Sequence, residues 1–406
     1  MLHYLKKIIL IIEKILSNDV KIKYGIPKDI QIIVYNSDSV KQLEYVLEKK
    51  KYIILDFRLH QLKEIYFSFK LIATIFSNLF KFNLSINYFY SILKVIDPKI
   101  VITACDNHKI FFNLAKLLDK KIKFIAVQNA SRLDIPRNEY LFRKKLIQKN
   151  FNQEFYIPHF FCFGQYEIDN CDLYNININK FYKVGSINTS NFFYYLKKNQ
   201  IKIIKNKFDI CLISEPALGE NKRYLADNIE ERFALTVNYT VNFARKFNYK
   251  LVFASKRLKN LKSTKYFFDS EMNFYKRYLN NDDFDYLIKN TNPKENFFSS
   301  YFAIFQSKVA VATQSTLLRD KIGIGEKILS CNLTGMQLYN FPLNGICTIN
   351  NCNYEQFERR LNEIMTISTK DYFNRIDKDK KYVMEFQSQY ATIETIQKEI
   401  NTTLKN

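Results

Sequence analysis

Residues 308–329 read KVAVATQSTLLRDKIGIGEKIL. An apolar run, Val309–Ala312, stops at Thr313-Gln314-Ser315-Thr316, a mixed stretch follows to Gly323 and Gly325, and a second apolar run starts at Lys327. Short continuous apolar runs separated by a helix-length segment with a glycine stop read as strand, helix, strand in a parallel sheet covered on both faces. The start of that helix is a candidate anion site, because first-turn N–H groups lack intrahelical partners and the helix dipole is positive there. Gln314, Ser315, Thr316 and, one turn on, Arg319 are therefore candidate nucleotide- or phosphate-binding residues. The structural alternative is an ordinary Ser/Thr N-cap.

The same alternation runs outward in both directions. In the first half it predicts strands at Gln31–Tyr35, Tyr52–Phe57, Lys99–Thr103, Lys123–Val127 and Phe160–Phe163, with helices near 39–50, 61–95 and 107–118. A polar, basic break follows near 197–206. Beyond it, strands are predicted at Phe208–Ile213, Tyr249–Ala254, Phe284–Leu287, Lys308–Ala312 and Lys327–Cys331. Helices are predicted near 223–247, 269–279, 296–306, 315–322 and 353–366, and one long polar helix over roughly 379–403. The reading is α/β, with one domain over 1–198, a second over 199–376 and a helical tail over 377–406. There are only 8 glycines, and after Gly25 all fall at predicted element ends, where positive φ or close backbone approach is needed.

Composition narrows the classes. With 47% hydrophobic and 25% charged residues the chain can bury a sizeable core. Few Gly and Pro exclude collagen-like and propeller architectures. Seven scattered cysteines without a C-x-x-C point to free thiols in a reducing compartment, hence a cytoplasmic protein. Four histidines without metal spacing predict no zinc. Residues 1–17 read as an amphipathic helix, with an apolar run too short for a signal peptide. That helix and a net charge of +22 leave open peripheral contact with an anionic membrane on the inner face. There is no Walker A loop and no G-x-G-x-x-G, so kinase and NAD readings lack their fingerprints.

In open α/β sheets ligands bind beyond the carboxyl ends of the strands. Three further post-strand loops carry polar chemistry. Asp106-Asn107-His108 follows an apolar run; Asp106 is either a helix N-cap or a general base or nucleophile, with Asn107 beside it. Gln128 and Asn129 follow another; their amides could orient a sugar hydroxyl or satisfy the loop backbone. Ser214 and Glu215 end a third run, with Lys256 and Arg257 after the next: a ribose or sugar ligand and a cationic phosphate site. Ser299-Ser300-Tyr301 opens a helix and reads as structural or as a further hydroxyl cap. Asn281-Asp282-Asp283 sits in a polar stretch, and no D-x-D follows a strand, so metal independence is expected.

These stretches resemble the bacterial surface carbohydrate (surface polysaccharide) biosynthesis proteins, which look like GT-B glycosyltransferases. The resemblance rests on VITACDN at 101–107, FIAVQNASR at 124–132, FCFG at 161–164, KVGS at 183–186 and FASKR at 253–257. The longest match is SSYFAIFQSKVAVATQSTLLRDKIGIGEKILSCNLTG at 299–335, continued to Leu361. It implies two Rossmann-like domains facing a cleft, the nucleotide-sugar donor on the C-terminal one and a glycan or lipid-linked acceptor on the N-terminal one. It also implies that Asp320, where the family more often has Glu, holds a ribose, and that a CMP-activated acidic sugar such as Kdo is a candidate donor. Ala130 departs from the family's Gln-Asn-Gly.

The expected activity is glycosyl transfer. Ser315, Thr316, Lys256 and Arg257 would stabilise charge on the leaving phosphate, Glu215 or Asp320 would hold ribose or sugar, and Asp106 would act on the acceptor hydroxyl. A nucleotide-sugar epimerase with the same cleft is one rival. A non-enzymatic basic protein binding membrane or nucleic acid is another, and the lack of an aromatic–basic interleaved motif speaks against nucleic acid.

Overall fold

The computed structural model describes residue 13 and residues 16–17, 20–56, 62–106, 108–131, 155–171, 176–216, 229–256, 262–292 and 296–405. The 1–17 helix expectation, Asn107 and Arg257 thus lie wholly or mostly outside the described residues. The strands are β1 (Lys21–Tyr24), β2 (Ile32–Tyr35), β3 (Tyr52–Leu55), β4 (Glu64–Phe67), β5 (Ile100–Thr103), β6 (Lys123–Val127), β7 (Phe155–Cys162), β8 (Ile176–Lys183), β9 (Phe208–Ile213), β10 (Leu251–Ala254), β11 (Ser307–Ala312), β12 (Lys327–Asn332) and β13 (Thr348–Asn350).

All pairings between these strands are parallel, and one isolated antiparallel bridge joins Gly345 and Ile376. One sheet runs β3-β2-β5-β6-β7-β8, a second β10-β9-β11-β12-β13, and β1 pairs with β4 apart from both. The strands IIVY, IVIT and LVFA are buried along their whole length, as expected when helices cover both faces. In each large sheet the chain enters in the interior, steps outward once, then returns to the other side. The order therefore reverses between β2 and β5 in one sheet and between β9 and β11 in the other. Loops at such a reversal leave in opposite directions and open a crevice at the carboxyl edge. Register fixes the second crevice: Leu212 lies opposite Phe253 on one side and Val311 on the other.

One core cluster spans the two halves, and a second lies on the other face of the first sheet. Helix Ile187–Lys198 is buried on nearly every side. Its Phe192 packs against Phe298, Tyr301, Phe302 and Phe305, at ring separations of 5.7, 5.6, 5.1 and 5.4 Å. The chain then crosses back from the second half to the first. Glu385 N–H donates to Phe163 O (2.7 Å), and helix Ala391–Lys405 docks beside the first sheet. Thr392 Oγ1 donates to Val184 O (2.5 Å), Gln397 Nε2 to Tyr45 O (2.9 Å), and Lys123 pairs with Glu399. The crossing runs so close that a Cβ at Gly164 would lie 2.6 Å from Lys381 O and 2.7 Å from Tyr382 O. A Cβ at Gly323, in the other half, would overlap Met384.

Several elements differ from the sequence expectations. Phe284–Leu287 belongs to helix Asn281–Lys289, because the Asn280 side chain caps it by accepting from Asp283 N–H (2.8 Å). The 61–95 stretch divides into β4 and the helices Phe69–Ser77 and Leu84–Ile96, and the 39–50 stretch is helical only over Asp38–Gln42. The tail is helical from Ala391 rather than from 379, since residues 383–386 are spent on the crossing. β1, β4, β8 and β13 were not expected. All seven cysteines are free thiols, six of them buried. Among the described residues no helix is long and apolar enough to cross a membrane.

Candidate functional site

In the second half the crevice between β9 and β11 is bridged by Glu215. Its carboxylate accepts from Thr313 N–H (2.5 Å) and Gln314 N–H (3.1 Å), fastening the loop after β11 to the end of β9. Burial pushes this carboxyl up to about 7, against the lowering pull of those two N–H groups and of Lys256. Ser214 reaches the other way. Its hydroxyl meets the fully buried Glu271 and lies 2.9 Å from Tyr275 Oη. Tyr275 Oη accepts from Glu215 N–H (3.2 Å) and Glu271 accepts from Lys256 N–H (2.8 Å). One buried acid thus holds the ends of β9 and β10 together, while the Lys256 residue itself is exposed.

The loop so held feeds helix Thr316–Gly323. Ser315 is its N-cap, accepting from Leu317 N–H (3.3 Å). Gln314 Nε2 donates to Asn340 O (3.2 Å). Gln314, Ser315 and Thr316 are half-buried, so they face an opening and not the core. Thr316 Oγ1 accepts from Ser131 N–H (2.9 Å), a backbone group of the loop after β6 in the other half. The two sheets therefore present their carboxyl edges to one another. Beyond β12, Asn332 Oδ1 accepts from Thr334 N–H (3.0 Å) and its Nδ2 donates to Met336 O (2.9 Å), giving a tightly braced wall beside the same opening.

In the first half the crevice lies between β2 and β5. Thr103 Oγ1 donates to Tyr35 O (2.9 Å), and Ala104 N–H donates to Ser39 Oγ (2.9 Å), tying the two strand ends. Asp106 is buried just beyond. Helix Lys109–Leu118 takes His108 at its cap position, so Asp106 stands two residues outside it and is not its N-cap. His108 Nδ1 hydrogen-bonds with Tyr35 Oη (3.2 Å).

Three candidates have other occupations. Gln128 Oε1 accepts from Phe163 N–H (3.0 Å), and its Nε2 donates to Glu167 Oε1 (3.0 Å) and Ala130 O (3.1 Å). Glu167 Oε2 in turn accepts from Arg319 Nη2 (2.8 Å), with Nη1 in ion-pair contact with Oε1 (2.8 Å), and Arg319 Nε donates to Val383 O (3.1 Å). The Arg319 guanidinium is buried over Phe163 and Tyr166, at 5.1 and 5.2 Å from the ring centres. It ties the two halves to the crossing segment and is not aimed at a nucleotide. Asp320 is also fully buried; Tyr301 Oη donates to its Oδ2 (3.3 Å). Burial raises its pKa to about 6, opposed by the nearby hydroxyls of Thr189, Ser186 and Tyr301 and by Arg319. It faces helix Ile187–Lys198, not a ribose site. Asn129 is half-buried, and its backbone carbonyl accepts from Asn188 Nδ2 (3.3 Å). Ser299 Oγ accepts from Asn296 N–H (3.1 Å), a local turn bond. Asp283 pairs with Arg245 (2.5 Å) and with Asn280. Among the described residues no His, Cys, Asp and Glu side chains gather as a metal cluster.

The fold is α/β and GT-B-like, with two Rossmann-like halves facing a cleft. It is similar over nearly its whole length to a UDP-GlcNAc 2-epimerase. That structure, from Neisseria meningitidis and bound to UDP-GlcNAc, is 13% identical, with 92% of this chain and 99% of that one covered and a TM-score of 0.50. The epimerase of Methanocaldococcus jannaschii is 10% identical over 91% and 98%, TM-score 0.46. The H444N variant of the wall teichoic acid polymerase TagF is 10% identical over 100% of both chains, TM-score 0.45. No family model matches the sequence, and no curated protein matches it.

The sequence reading did not single out Glu167 or Glu271. Glu271 had a signal: its neighbours at helical spacing are Phe267, Phe268, Phe274 and Tyr275, while Asp269 falls on another face. An acid on an apolar helix face needs a buried polar partner. Glu167 looks like an ordinary first-turn acid, favourable at a helix start, and nothing local reveals its partner Arg319.

Proposed function

We propose that the protein is a glycosyltransferase of surface polysaccharide synthesis, moving a sugar from a nucleotide donor to a glycan or lipid-linked acceptor. One observation carries the reading: two crevices, β2/β5 and β9/β11, open at facing carboxyl edges, and the Ser131–Thr316 bond joins their loops. Such a cleft suits a reaction between two bound substrates. On the donor side, the braced Gln314-Ser315-Thr316 loop and Lys256 take the diphosphate or monophosphate, with Arg257 as a further cation. Donors held rigidly where negative charge develops are a large source of rate enhancement. Glu215 acts through the loop it holds, and Ser214 through Glu271. On the acceptor side, Asp106 takes the proton of the attacking hydroxyl, while Asn107 and Asn129 orient the sugar. Gln128, Arg319 and Asp320 set the relation of the two halves. The reaction needs no metal, and turnover in EDTA tests this. A CMP-activated acidic sugar such as Kdo is the first donor to try.

The test is thermal unfolding against CMP, CDP, UDP, GDP and ADP. A ligand at 100 times its dissociation constant, bound only to the native state, adds about 2.7 kcal/mol. One nucleotide is expected to raise the melting temperature, and Ser315→Ala with Lys256→Ala to abolish the rise. Asp106→Asn is expected to keep that rise and lower turnover by roughly 10²–10⁴. Conversion of a nucleotide sugar without any acceptor would move the assignment to an epimerase.

A further inference from the structure

Seven of the fourteen exposed large apolar side chains among the described residues fall between Ile22 and Phe80. Elsewhere such residues are scattered. Here they are carried by the paired strands β1 and β4, by helix Phe69–Ser77, which follows β4 directly, and by the turn after it. Phe69 is 91% exposed, Phe76 66% and Phe80 fully exposed. Phe69 and Phe76 stand seven residues apart, on one stripe of the helix, and Phe80 follows four residues later. The opposite stripe is apolar too: Leu71 is buried and Ile75 packs on the core. Lys70 is the single charge in FKLIATIFS. Lys70, Thr74 and Ser77 make a polar stripe, but the arc carrying Phe69, Ala73 and Phe76 is apolar and uncovered, where a surface helix normally turns apolar residues inward. Tyr24 and Phe67 extend the surface across the small sheet, their ring centres 6.2 Å apart.

The surroundings decide the occupant. Residues 20–29 and 62–83 hold Lys21, Lys23, Lys28, Lys63, Lys70 and Lys81 against two acids, Asp29 and Glu64. All six lysines are exposed, and Glu64 is already paired with Lys23 (3.3 Å). A second copy of this chain meeting the patch by two-fold symmetry would bring the same lysines face to face, which is repulsive. An anionic bilayer offers the opposite: lipid for the phenylalanines, and headgroup charge for lysines that snorkel around them. Position agrees. Helix Leu84–Ile96 leads directly into β5, so its last turn lies at the amino edge of the sheet. Its first turn, with the Leu79–Phe80 turn before it, therefore lies at the carboxyl edge, beside the cleft.

We infer that the Phe69–Phe80 helix and turn, with Tyr24 and Phe67, form a membrane-docking surface that inserts its aromatic side chains into an anionic lipid leaflet. The inference does not rest on the transferase reading, since vesicle binding and nucleotide binding are measured separately. The chain contains no tryptophan, so Phe80→Trp supplies a sole indole reporter. With vesicles of phosphatidylglycerol and phosphatidylcholine, its emission is expected to shift to the blue and to be quenched by brominated lipid. Phosphatidylcholine alone, or high salt, is expected to weaken both changes. Phe247→Trp, on the other half, is expected to show neither. Phe76→Ser/Phe80→Ser is expected to lose at least about tenfold in vesicle affinity, as burying each phenylalanine ring contributes that much, with an unchanged melting temperature. Three results would overturn the inference. One is no binding to anionic vesicles. Another is binding in which the Phe80→Trp indole stays solvent-like. The third is a self-association that the double substitution abolishes while vesicle binding persists.

Discussion

Arg319 and Asp320 are neighbours in sequence with opposite electrostatic situations. Arg319 has a partner for its charge: the Glu167 carboxylate, itself supported by Gln128. Removing one member of a buried pair strands the other, which costs about 3–5 kcal/mol. Arg319→Ala is therefore expected to lower stability by that amount in urea unfolding. Arg319→Met with Glu167→Gln is expected to cost clearly less, because no buried charge remains and Gln128 keeps an acceptor. Asp320 has hydroxyl partners but sits fully buried, and its pKa rises to about 6. A carboxyl raised in the native state keeps its proton where the unfolded chain has already lost it. Its contribution to stability is thus complete below the ordinary value of 3.8 and is lost as pH rises through about 6. The loss amounts to about 3 kcal/mol. Asp320→Asn should flatten the stability profile between pH 4 and 6 and leave stability at pH 7 equal to or above that of the native chain. A variant as pH-sensitive as the native chain would remove Asp320 from this role.

At the level of elements, helix Ile187–Lys198 joins the two halves, and Phe192 is its wedge. The ring is fully buried among four aromatic rings of the helix that opens at Ser299 and the residue before it. Phe192→Ala is expected to cost about 3–5 kcal/mol, read from the urea midpoint at unchanged slope. This helix also shows what sequence alone conveys. Strands such as Lys123–Val127 and Phe208–Ile213 were legible to the residue, because both faces are buried and the apolar run is continuous. The exposed KIKY of β1 and the Asn- and Lys-broken ININKFYK of β8 carry no such run. Phe284–Leu287 misled because four residues do not separate strand from helix, and the deciding Asn280 cap lies outside them. The candidate loops were legible for the same reason as the strands they follow. What each side chain does there was not. Gln128, Arg319 and Asp320 find their partners in Glu167, Ser186 and Thr189, more than 30 residues away, and nothing local in the sequence records such pairings.

For the whole molecule, the question is whether two halves with separate sheets melt separately. One apolar cluster runs from Ile32, Ile100 and Phe161 in the first sheet to Leu212, Val311 and Leu329 in the second. The crossing segment adds a second connection, because Val383 is held by Arg319 and Glu385 by Phe163. Beyond it, helix Ala391–Lys405 makes its polar contacts with the first half: Tyr45, Lys50, Lys99, Lys123, Tyr182 and Val184. Contacts that span both halves make each half's unfolding expose the other's core, which is the condition for one cooperative transition. The native chain is therefore expected to give a single calorimetric peak with equal calorimetric and van't Hoff enthalpies. Ending the chain after Tyr390 removes the helix and uncovers the face of the first sheet that it shields, while leaving the Arg319 and Phe192 contacts in place. The first half is then expected to melt ahead of the second, splitting the peak in two. If the shortened chain still melts as one, the Phe192 interface alone couples the halves and the terminal helix contributes only to the level of stability. Two peaks in the native chain would mean that the shared cluster is too weak to couple them.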